Sequence, residues 1–437
     1  MKKLTRRDFL AAGGTASVAA LAAGCSFGTG QQKAAGSGGS KSVTIWDIST
    51  GDQQKLIKNT VAHFDSTHKD ISVSVQFFQN DPYKNKLRTA MGAGNPPDIF
   101  FGWGGGILKS YVDAGKVYAL PQGSIDTNKF FPSVMRPVTF NGKVYGVPML
   151  GTQPVLFYYN KEIFGKYNLK PPKTWSELLS IVKTLSQKGI TPISLAGQNK
   201  WPDLMYEEYL VNRIGGPKPF QNVLDKKPKA WSDPAFIKAN TMIQQLVSMK
   251  AFPSNFASLN YDTGQSTQLL YTGKAAMQLM GAWDYQAILS NAPQFIKSGK
   301  LGWFPFPKVE GGKGNPQNVA GNLTNYYSVT QASKAKKAAT TFLDKGIMND
   351  FEINGLIKIG LVPPVKGIQS KLKQQKDSDW LLFVYDLAQN APYYDLSWDQ
   401  ALPAQAAQAL LTNLDLLFLK KITPQQFSKN MNKAMGL

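Results

Sequence analysis

The sequence predicts an α/β fold, because short strand-like runs alternate with amphipathic helical patterns from residue 43 onward. Residues 43–47 and 71–77 are rich in β-branched and aromatic side chains, and residues 53–64 between them carry apolar side chains on one helical face. A strand–helix–strand order of this kind is typical of a largely parallel sheet. The chain has 437 residues, 43% of them hydrophobic, which suffices for a large core or two domains.

The same patterns continue along the chain. Further strands are predicted at residues 98–101, 144–148, 154–159, 275–280 and 326–329. Helices are predicted at residues 83–91, 174–185, 204–213, 233–249 and 263–271, and in a helical C-terminal tail at 335–343, 347–357, 380–390, 404–419 and 424–435. Thr174 and Glu177 have the spacing of a capping box, in which each side chain bonds a free backbone N–H of the first helical turn.

The N-terminal segment has the pattern of an export signal. Arg6 and Arg7 precede an apolar stretch of roughly fifteen residues, too short to span a bilayer, and resemble a twin-arginine signal. Cys25, the only cysteine, follows small residues and is predicted to be lipidated, so that residues 1–24 are a signal peptide. Residues 25–40 are rich in Gly, Ser, Ala and Gln and predict a flexible tether. The alternative is an ordinary cleaved signal with an incidental cysteine.

These features predict a protein on the extracellular face of the cytoplasmic membrane, held there by a lipid anchor. A single cysteine also excludes an internal disulfide framework.

The chain is strongly basic, with a formal net charge of +21 that becomes +18 without the four basic residues and one acidic residue of positions 1–24. Its lysines are scattered and arginine is scarce, which argues against nucleic-acid binding. Acidic residues number only 28, so fewer ion pairs are lost on protonation. We therefore predict an acidic habitat, or contact with anionic wall polymers or lipids.

Motifs for catalysis, metals or cofactors are missing from the sequence. It contains neither a P-loop nor a Gly-x-Ser-x-Gly elbow. His63 and His68 are five residues apart on one predicted helix, which puts them on different faces and argues against a shared metal. We predict no cofactor, no metal and no enzymatic activity. Two pairs of carboxylates leave a secreted glycan-cleaving enzyme as an alternative: Asp203 with Glu207 and Asp395 with Asp399.

Tryptophan is the residue type that indicates a ligand. Several of the nine tryptophans stand in predicted loops at strand ends, beside Gly, Pro, Asp or Asn. An indole ring packs well on the C–H face of a pyranose, while Asp, Asn and Gln exchange hydrogen bonds with its hydroxyl groups. A cleft of this composition suits a neutral carbohydrate.

Six short motifs occur in a specific order, at residues 43–46, 94–100, 145–148, 158–161, 172–178 and 273–283. Together they resemble the extracellular solute-binding proteins (family 1) of carbohydrate ABC importers, which include the maltodextrin-binding proteins, and the similarity runs from about residue 41 to the C-terminus. The resemblance implies a two-lobe, periplasmic-binding-protein-like (Venus flytrap) fold with hinge crossovers near residues 150–154, 322–326 and 370–376. Lobe 1 would comprise residues 41–150 plus 325–373, and lobe 2 residues 151–324 plus 374–437.

The resemblance also implies ligand-binding residues at the ends of the predicted strands. A tryptophan after the small-residue strand, and a Trp-Asp pair in a late loop, match sugar-stacking positions of the family; other positions follow strand ends or a crossover. The predicted set is Trp283, Trp398, Asp399, Trp103, Trp46, Asp47, Asp81, Trp201 and Asn322.

The implied function is capture without reaction: a monomer binds a neutral xylo-, chito-, malto- or similar oligosaccharide between its lobes and delivers it to a membrane permease. A second possibility is the same fold with a non-sugar solute, such as a polyol phosphate or a polyamine. An anionic solute would favour arginines in the cleft, and only Arg88, Arg136 and Arg213 follow the signal, none of them in the matched loops.

Overall fold

A computed structural model describes residues 41–437 of the chain, so the predicted signal peptide, Cys25 and the tether lie outside the described residues. The strands of this part are β1 (Lys41–Asp47), β2 (Ile71–Phe77), β3 (Ile99–Gly102), β4 (Thr139–Phe140), β5 (Lys143–Val144), β6 (Val147–Pro148), β7 (Gln153–Asn160), β8 (Thr191–Ser194), β9 (Ala275–Gly281), β10 (Leu301–Phe304), β11 (Val319–Asn322), β12 (Tyr326–Val329) and β13 (Tyr394–Leu396).

The predicted helices are present with similar bounds, and the structure adds shorter helices that the sequence did not predict. They are α1 (Gly51–Thr67), α2 (Asn80–Ala93), α3 (Gly105–Asp113), α4 (Pro132–Met135), α5 (Lys161–Lys166), α6 (Trp175–Gln187), α7 (Trp201–Gly215), α8 (Lys218–Leu224), α9 (Pro234–Ser248), α10 (Gln265–Tyr271), α11 (Trp283–Asn291), α12 (Pro293–Lys297), α13 (Lys336–Thr341), α14 (Asp350–Lys358), α15 (Gln369–Lys373), α16 (Ser378–Gln389), α17 (Trp398–Ala401), α18 (Ala404–Phe418) and α19 (Pro424–Met435). The helices that the sequence did not predict are α3, α4, α5, α8, α11, α12, α15 and α17. The predicted capping box is present at the start of α6, between Thr174 and Glu177.

Two separate sheets form the centres of two lobes. In the first sheet the strand order is β2-β1-β3-β12-β6, with β1 parallel to β2 and β3, and β12 antiparallel to β3 and β6. In the second the order is β13-β11-β7-β9-β8, with β10 also paired to β7. Strands β3, β7 and β9 are almost wholly buried. This architecture confirms the predicted two-lobe α/β fold, although both sheets are mixed, not largely parallel.

The described chain passes between the sheets at residues 149–152, at 323–325 and again between β12 and β13, the interval that contains the third predicted crossover. The first two crossovers are hydrogen-bonded to each other or to the strand that follows. Thr324 Oγ1 donates to the Leu150 carbonyl at 2.7 Å, and Gln153 Nε2 donates to Asn325 Oδ1. The C-terminal helices pack on the second lobe, where α16 contacts β7 and α18 contacts α7. The residue boundaries given above for the lobes stay a prediction.

The helices of the described region include none that is both long enough and apolar enough to cross a membrane.

Candidate ligand-binding site

A cavity of about 510 Å³ lies between the two lobes, lined by residues that follow the carboxyl ends of strands from both sheets. Ser49 follows β1 and Trp103 follows β3, in the first lobe. Trp283 follows β9 and Ser397 follows β13, in the second. Ligands of open α/β sheets bind outside the carboxyl ends of the strands. The cavity therefore occupies the place where this topology favours a ligand.

Aromatic rings line both sides of the cavity. In the second lobe the rings of Trp201 and Trp283 have centroids 6.0 Å apart at 57°, and Tyr261 meets Trp201 edge-on at 4.9 Å. From the first lobe Trp103 lines the cavity, held edge-on by Phe101 at 5.1 Å. The tilted indole and phenol rings present flat apolar faces in different directions. A ligand that consists of several linked rings can therefore stack on more than one of them.

The indole ring of Trp283 packs directly against the backbone of a glycine, which has no side chain to displace it. Gly281 ends β9 two residues earlier, and a Cβ atom placed on it would overlap the indole ring of Trp283. A side chain at position 281 would therefore force the ring to move.

The floor of the cavity is polar and comes from a crossover and from the strand ends next to the crossovers. Gln153, Asn322 and Asn325 line it, and Gln153 and Asn325 bond each other across the hinge. Asn322 Oδ1 has no hydrogen-bond partner among the described residues, nor does Trp201 Nε1 in the wall. Unpaired polar atoms in a cavity are costly unless a ligand or water satisfies them.

Asp284 is a buried carboxyl group in the wall beside Trp283. Its Oδ1 accepts hydrogen bonds from Tyr261 Oη at 3.1 Å and from Thr267 Oγ1 at 3.0 Å. Burial raises the pKa of Asp284 to about 7, against the lowering effect of these hydrogen bonds. The group can thus donate or accept near neutral pH.

Hydrogen bonds join the two lobes at the mouth of the cavity. Ser290 Oγ in α11 donates to Asp52 Oδ2 in α1 at 2.7 Å. Asn199 Nδ2 of the second lobe donates to Asp81 Oδ2 of the first at 3.0 Å. These bonds require the two lobes to be close together.

The cavity carries more acidic than basic groups although the chain as a whole is basic. Its lining includes the carboxyl groups of Asp262, Asp284 and Asp399 and a single ammonium group, Lys84. Lys84 Nζ lies 3.3 Å from Asp81 Oδ1 and 5.3 Å from the centre of the Trp103 ring. The one cation is therefore already engaged, which disfavours an anionic ligand.

Five of the predicted site residues line the cavity, and four do not. The five are Trp103, Trp201, Trp283, Asn322 and Asp399. Asp81 lies at the mouth, in the interlobe bond described above. Trp46 packs edge-on against Phe78 at 5.3 Å, with Lys86 Nζ 4.7 Å from its ring centre.

Two predictions are corrected by burial. Trp398 is fully buried, because its ring stacks on Phe220 at 4.2 Å and belongs to the core of the second lobe. Asp47 is also fully buried and accepts hydrogen bonds from Tyr327 Oη and the Ser49 backbone N–H. Asp47 therefore does not line the cavity itself, but it orients Ser49, which does.

Several lining residues were missed by sequence reasoning. Tyr261, Asp284, Gln153, Asn325 and Gln286 line the cavity without having been predicted. Asp284 directly follows the predicted Trp283, and Gln153 and Asn325 lie within predicted crossovers, so position relative to predicted elements could have identified these three. No group of three His, Cys, Asp or Glu side chains suited to a metal ion occurs within residues 41–437.

Residues 48–345 match the model of the bacterial extracellular solute-binding protein family, and the chain belongs to this family. It is 30% identical over 205 residues to an uncharacterized ABC transporter extracellular-binding protein of Pyrococcus horikoshii, covering 46% of this chain and 45% of that protein. It is 26% identical over 380 residues to the diacetylchitobiose binding protein DasA of Streptomyces coelicolor, covering 84% of each. The chain spans about half the length of the first two curated relatives it matches.

A solved structure from a study of xylan utilization by the thermophilic bacterium Caldanaerobius polysaccharolyticus has the same fold. Its TM-score to this chain is 0.79 at 31% identity, covering 90% of this chain and 99% of that one.

Proposed function

We propose that this protein captures a neutral oligosaccharide between its lobes and delivers it, unaltered, to the permease of an ABC importer. The observation that carries the proposal is the cavity between the lobes, with indole faces on both lobes and amide groups on its floor. Its volume of about 510 Å³ lies within the range of roughly 300–1,000 Å³ typical of small-molecule sites. The similarity to a diacetylchitobiose binding protein and to a structure from work on xylan utilization supports chito- or xylo-oligosaccharides as first candidates.

Binding and closure would occur together. Each stacked ring or directed hydrogen bond contributes about 1 kcal/mol, whereas micromolar affinity needs about 8 kcal/mol. One lobe alone presents too few groups, so the sugar must be gripped from both sides. The interlobe bonds at Asp52 and Asp81 form only in the closed state and would stabilise it around the ligand.

The charges of the cavity argue against a polyol phosphate, since the three carboxyl groups would repel it and Lys84 is already paired. Neither of the two carboxyl pairs that suggested a glycosidase lines the cavity as a pair. Of the two sequence pairs only Asp399 lines it; Asp395 is buried against the indole nitrogen of Trp398 at 3.0 Å.

Isothermal titration against xylo-, chito- and malto-oligosaccharides tests the proposal. We expect one series to bind without turnover, and Trp283→Ala to weaken that binding at least about tenfold, since a stacking surface and its buried area are lost. Phe351→Ala is the matched control, because Phe351 is 41% exposed and stacks on His63 away from the cavity. Binding heats that are equal in Trp283→Ala and wild type, or hydrolysis of the sugar, would contradict the proposal.

Two further parts complete the proposal. Residues 1–24 direct export of the protein by the twin-arginine route, and a lipid on Cys25 attaches it to the membrane. Cys25→Ser should release the protein into the medium, whereas substitution of Arg6 and Arg7 by lysine should block export. Retention of Cys25→Ser at the membrane would exclude the lipid anchor.

A further inference from the structure

A serine hydroxyl in the cavity wall lies between two buried carboxyl groups. Ser397 Oγ is 2.9 Å from Glu208 Oε1 and 2.9 Å from Asp399 Oδ1. The residues Glu208 and Asp399 are 0% and 6% exposed. Ser397 and Asp399 line the cavity, whereas Glu208 is buried on α7. These three side chains, called the carboxyl–serine triad below, lead from the interior of the second lobe to the ligand site.

The triad is satisfied only if it holds an added proton. A serine hydroxyl has one proton and can donate it to one carboxylate at a time. If Glu208 and Asp399 were both ionised, one of the two contacts would bring lone pairs together. None of the ion pairs formed within residues 41–437 includes either carboxyl group, so no nearby cation in a pair compensates them. With one proton on a carboxyl group, both contacts become hydrogen bonds.

The position of Ser397 supports this use of its hydroxyl. It precedes α17 as the N-cap residue, where serine normally accepts a bond from the backbone of its own helix, but its side chain makes no such bond. The backbone N–H of Trp398 donates instead to Glu208 Oε1 at 2.7 Å. Gln400 Nε2 donates to Asp399 Oδ2 at 2.9 Å and fixes the other end of the triad.

We propose that Glu208 and Asp399 share one proton through Ser397, and that Glu208 is a positioning residue that holds Asp399 in its ligand-binding orientation. Loss of the proton would leave two neighbouring anions with one hydroxyl between them, and Asp399 would turn away from Ser397. Ligand affinity is therefore retained in acid and falls as the pH rises. The part of this inference that concerns affinity rests on the proposed function of the cavity.

The surroundings of the triad decide where the proton resides. Burial raises the pKa of Glu208 well above its usual value, and Asp395 and Asp399 add to this as neighbouring acids. Burial also raises the pKa of Asp399, but Lys84 across the cavity lowers it. The proton therefore resides mainly on Glu208. The charged and titratable groups that face these two carboxyl groups or Asp395 are Lys84, Asp81, Asp395, Tyr209, Tyr393 and Arg136.

The shared proton can be tested without any ligand. The free energy of unfolding in urea is measured from pH 5.5 to 8 for wild type, Glu208→Gln, Asp399→Asn and the double variant. Both substitutions keep shape and remove charge. If the proton is shared and resides mainly on Glu208, Glu208→Gln removes one proton from the pH dependence and the double variant removes no more than one. Asp399→Asn removes a neighbouring acid, so Glu208 should lose its proton at lower pH than in wild type. A double variant that removes two protons, a Glu208→Gln variant that removes none, or an Asp399→Asn variant with an unchanged pH dependence would overturn the proposal.

The positioning role is tested with xylotriose and diacetylchitobiose as probes. For a probe that binds wild type, we expect affinity to fall about tenfold between pH 5.5 and 8, and this fall to be smaller in Glu208→Gln, where Asp284 in the cavity wall still titrates in this range. Glu207→Gln is the matched control: Glu207 is equally buried and adjacent in sequence but does not contact the triad, so the full fall should persist. A fall in Glu208→Gln that equals that of wild type excludes the positioning role. If neither probe binds at any pH, the fault lies with the proposed ligand, because the unfolding experiment still decides the proton.

Discussion

Buried carboxyl groups without ion pairs should make this protein most stable in acid. Glu207 on α7 is fully buried, and burial raises its pKa to about 8. Glu352 at the start of α14 has a pKa raised to about 8 for the same reason. A carboxyl group with a raised pKa in the folded state stabilises the protein below its unfolded pKa, and this contribution is lost as the pH rises toward the folded pKa.

The size of the effect follows from Glu207 alone. With an ordinary pKa of 4.5 and a folded pKa of about 8, it takes up a proton on folding throughout this interval. Each pH unit changes the free energy of unfolding by about 1.4 kcal/mol, so that rising from pH 4.5 to pH 7 removes about 3 kcal/mol. Glu207→Gln keeps the side-chain volume without the titration and should remove this loss.

Urea unfolding at pH 4.5, 5.5 and 7 provides the measurement. The stability of Glu207→Gln relative to wild type should increase by about 3 kcal/mol between pH 4.5 and pH 7. Asp113→Asn controls for the loss of one acidic residue, since Asp113 is 59% exposed and pairs only with Lys109. Two stability curves that run parallel across this range, for wild type and Glu207→Gln, would refute the reasoning. The acidic habitat predicted from the shortage of acids would lose its structural support with it.

Three further substitutions test the site. Gly281→Ala should displace the ring of Trp283 and weaken sugar binding about tenfold although the indole remains; a retained affinity would show that the ring position is unimportant. Ser290→Ala removes the bond to Asp52 that exists only in the closed state, so affinity should fall by about 0.5–1 kcal/mol, seen as faster dissociation in stopped-flow fluorescence. Trp398→Ala should lower the free energy of unfolding by about 3–5 kcal/mol, because its ring fills the core; a stable variant with lost binding would restore its predicted stacking role.

Strands and helices whose apolar residues recur at a regular spacing were predictable from the sequence. The strands at 71–77 and 326–329 have the bounds expected for them, because their apolar residues are bounded by turn residues. Strands β8, β10, β11 and β13 were missed because each contains a Pro, Gly or Asp residue, types that are depleted in strands. Such strands exist through pairing with distant segments, which local sequence does not reveal.

Residues of the candidate site were predictable where a place at the end of a strand is enough to expose the side chain to the cavity. Trp103 and Trp283 follow strand ends and line the cavity, as expected. Trp398 also follows a strand but is covered by Phe220 and Phe236, which lie more than 150 residues away in the chain. Whether an indole is exposed therefore depends on long-range packing, and sequence neighbours carry no information about it.

The floor of the cavity has a mechanical consequence. Gln153 at the start of β7 and Asn325 in the crossover at 323–325 lie at two of the chain connections between the lobes, and their side chains are hydrogen-bonded to each other at the floor of the cavity. A ligand that contacts these two amides also contacts the connection between the lobes. Ligand binding and the relative movement of the lobes would therefore be coupled at this position. A single substitution there, such as Asn325→Asp, would change both the ligand affinity and the equilibrium between open and closed lobes.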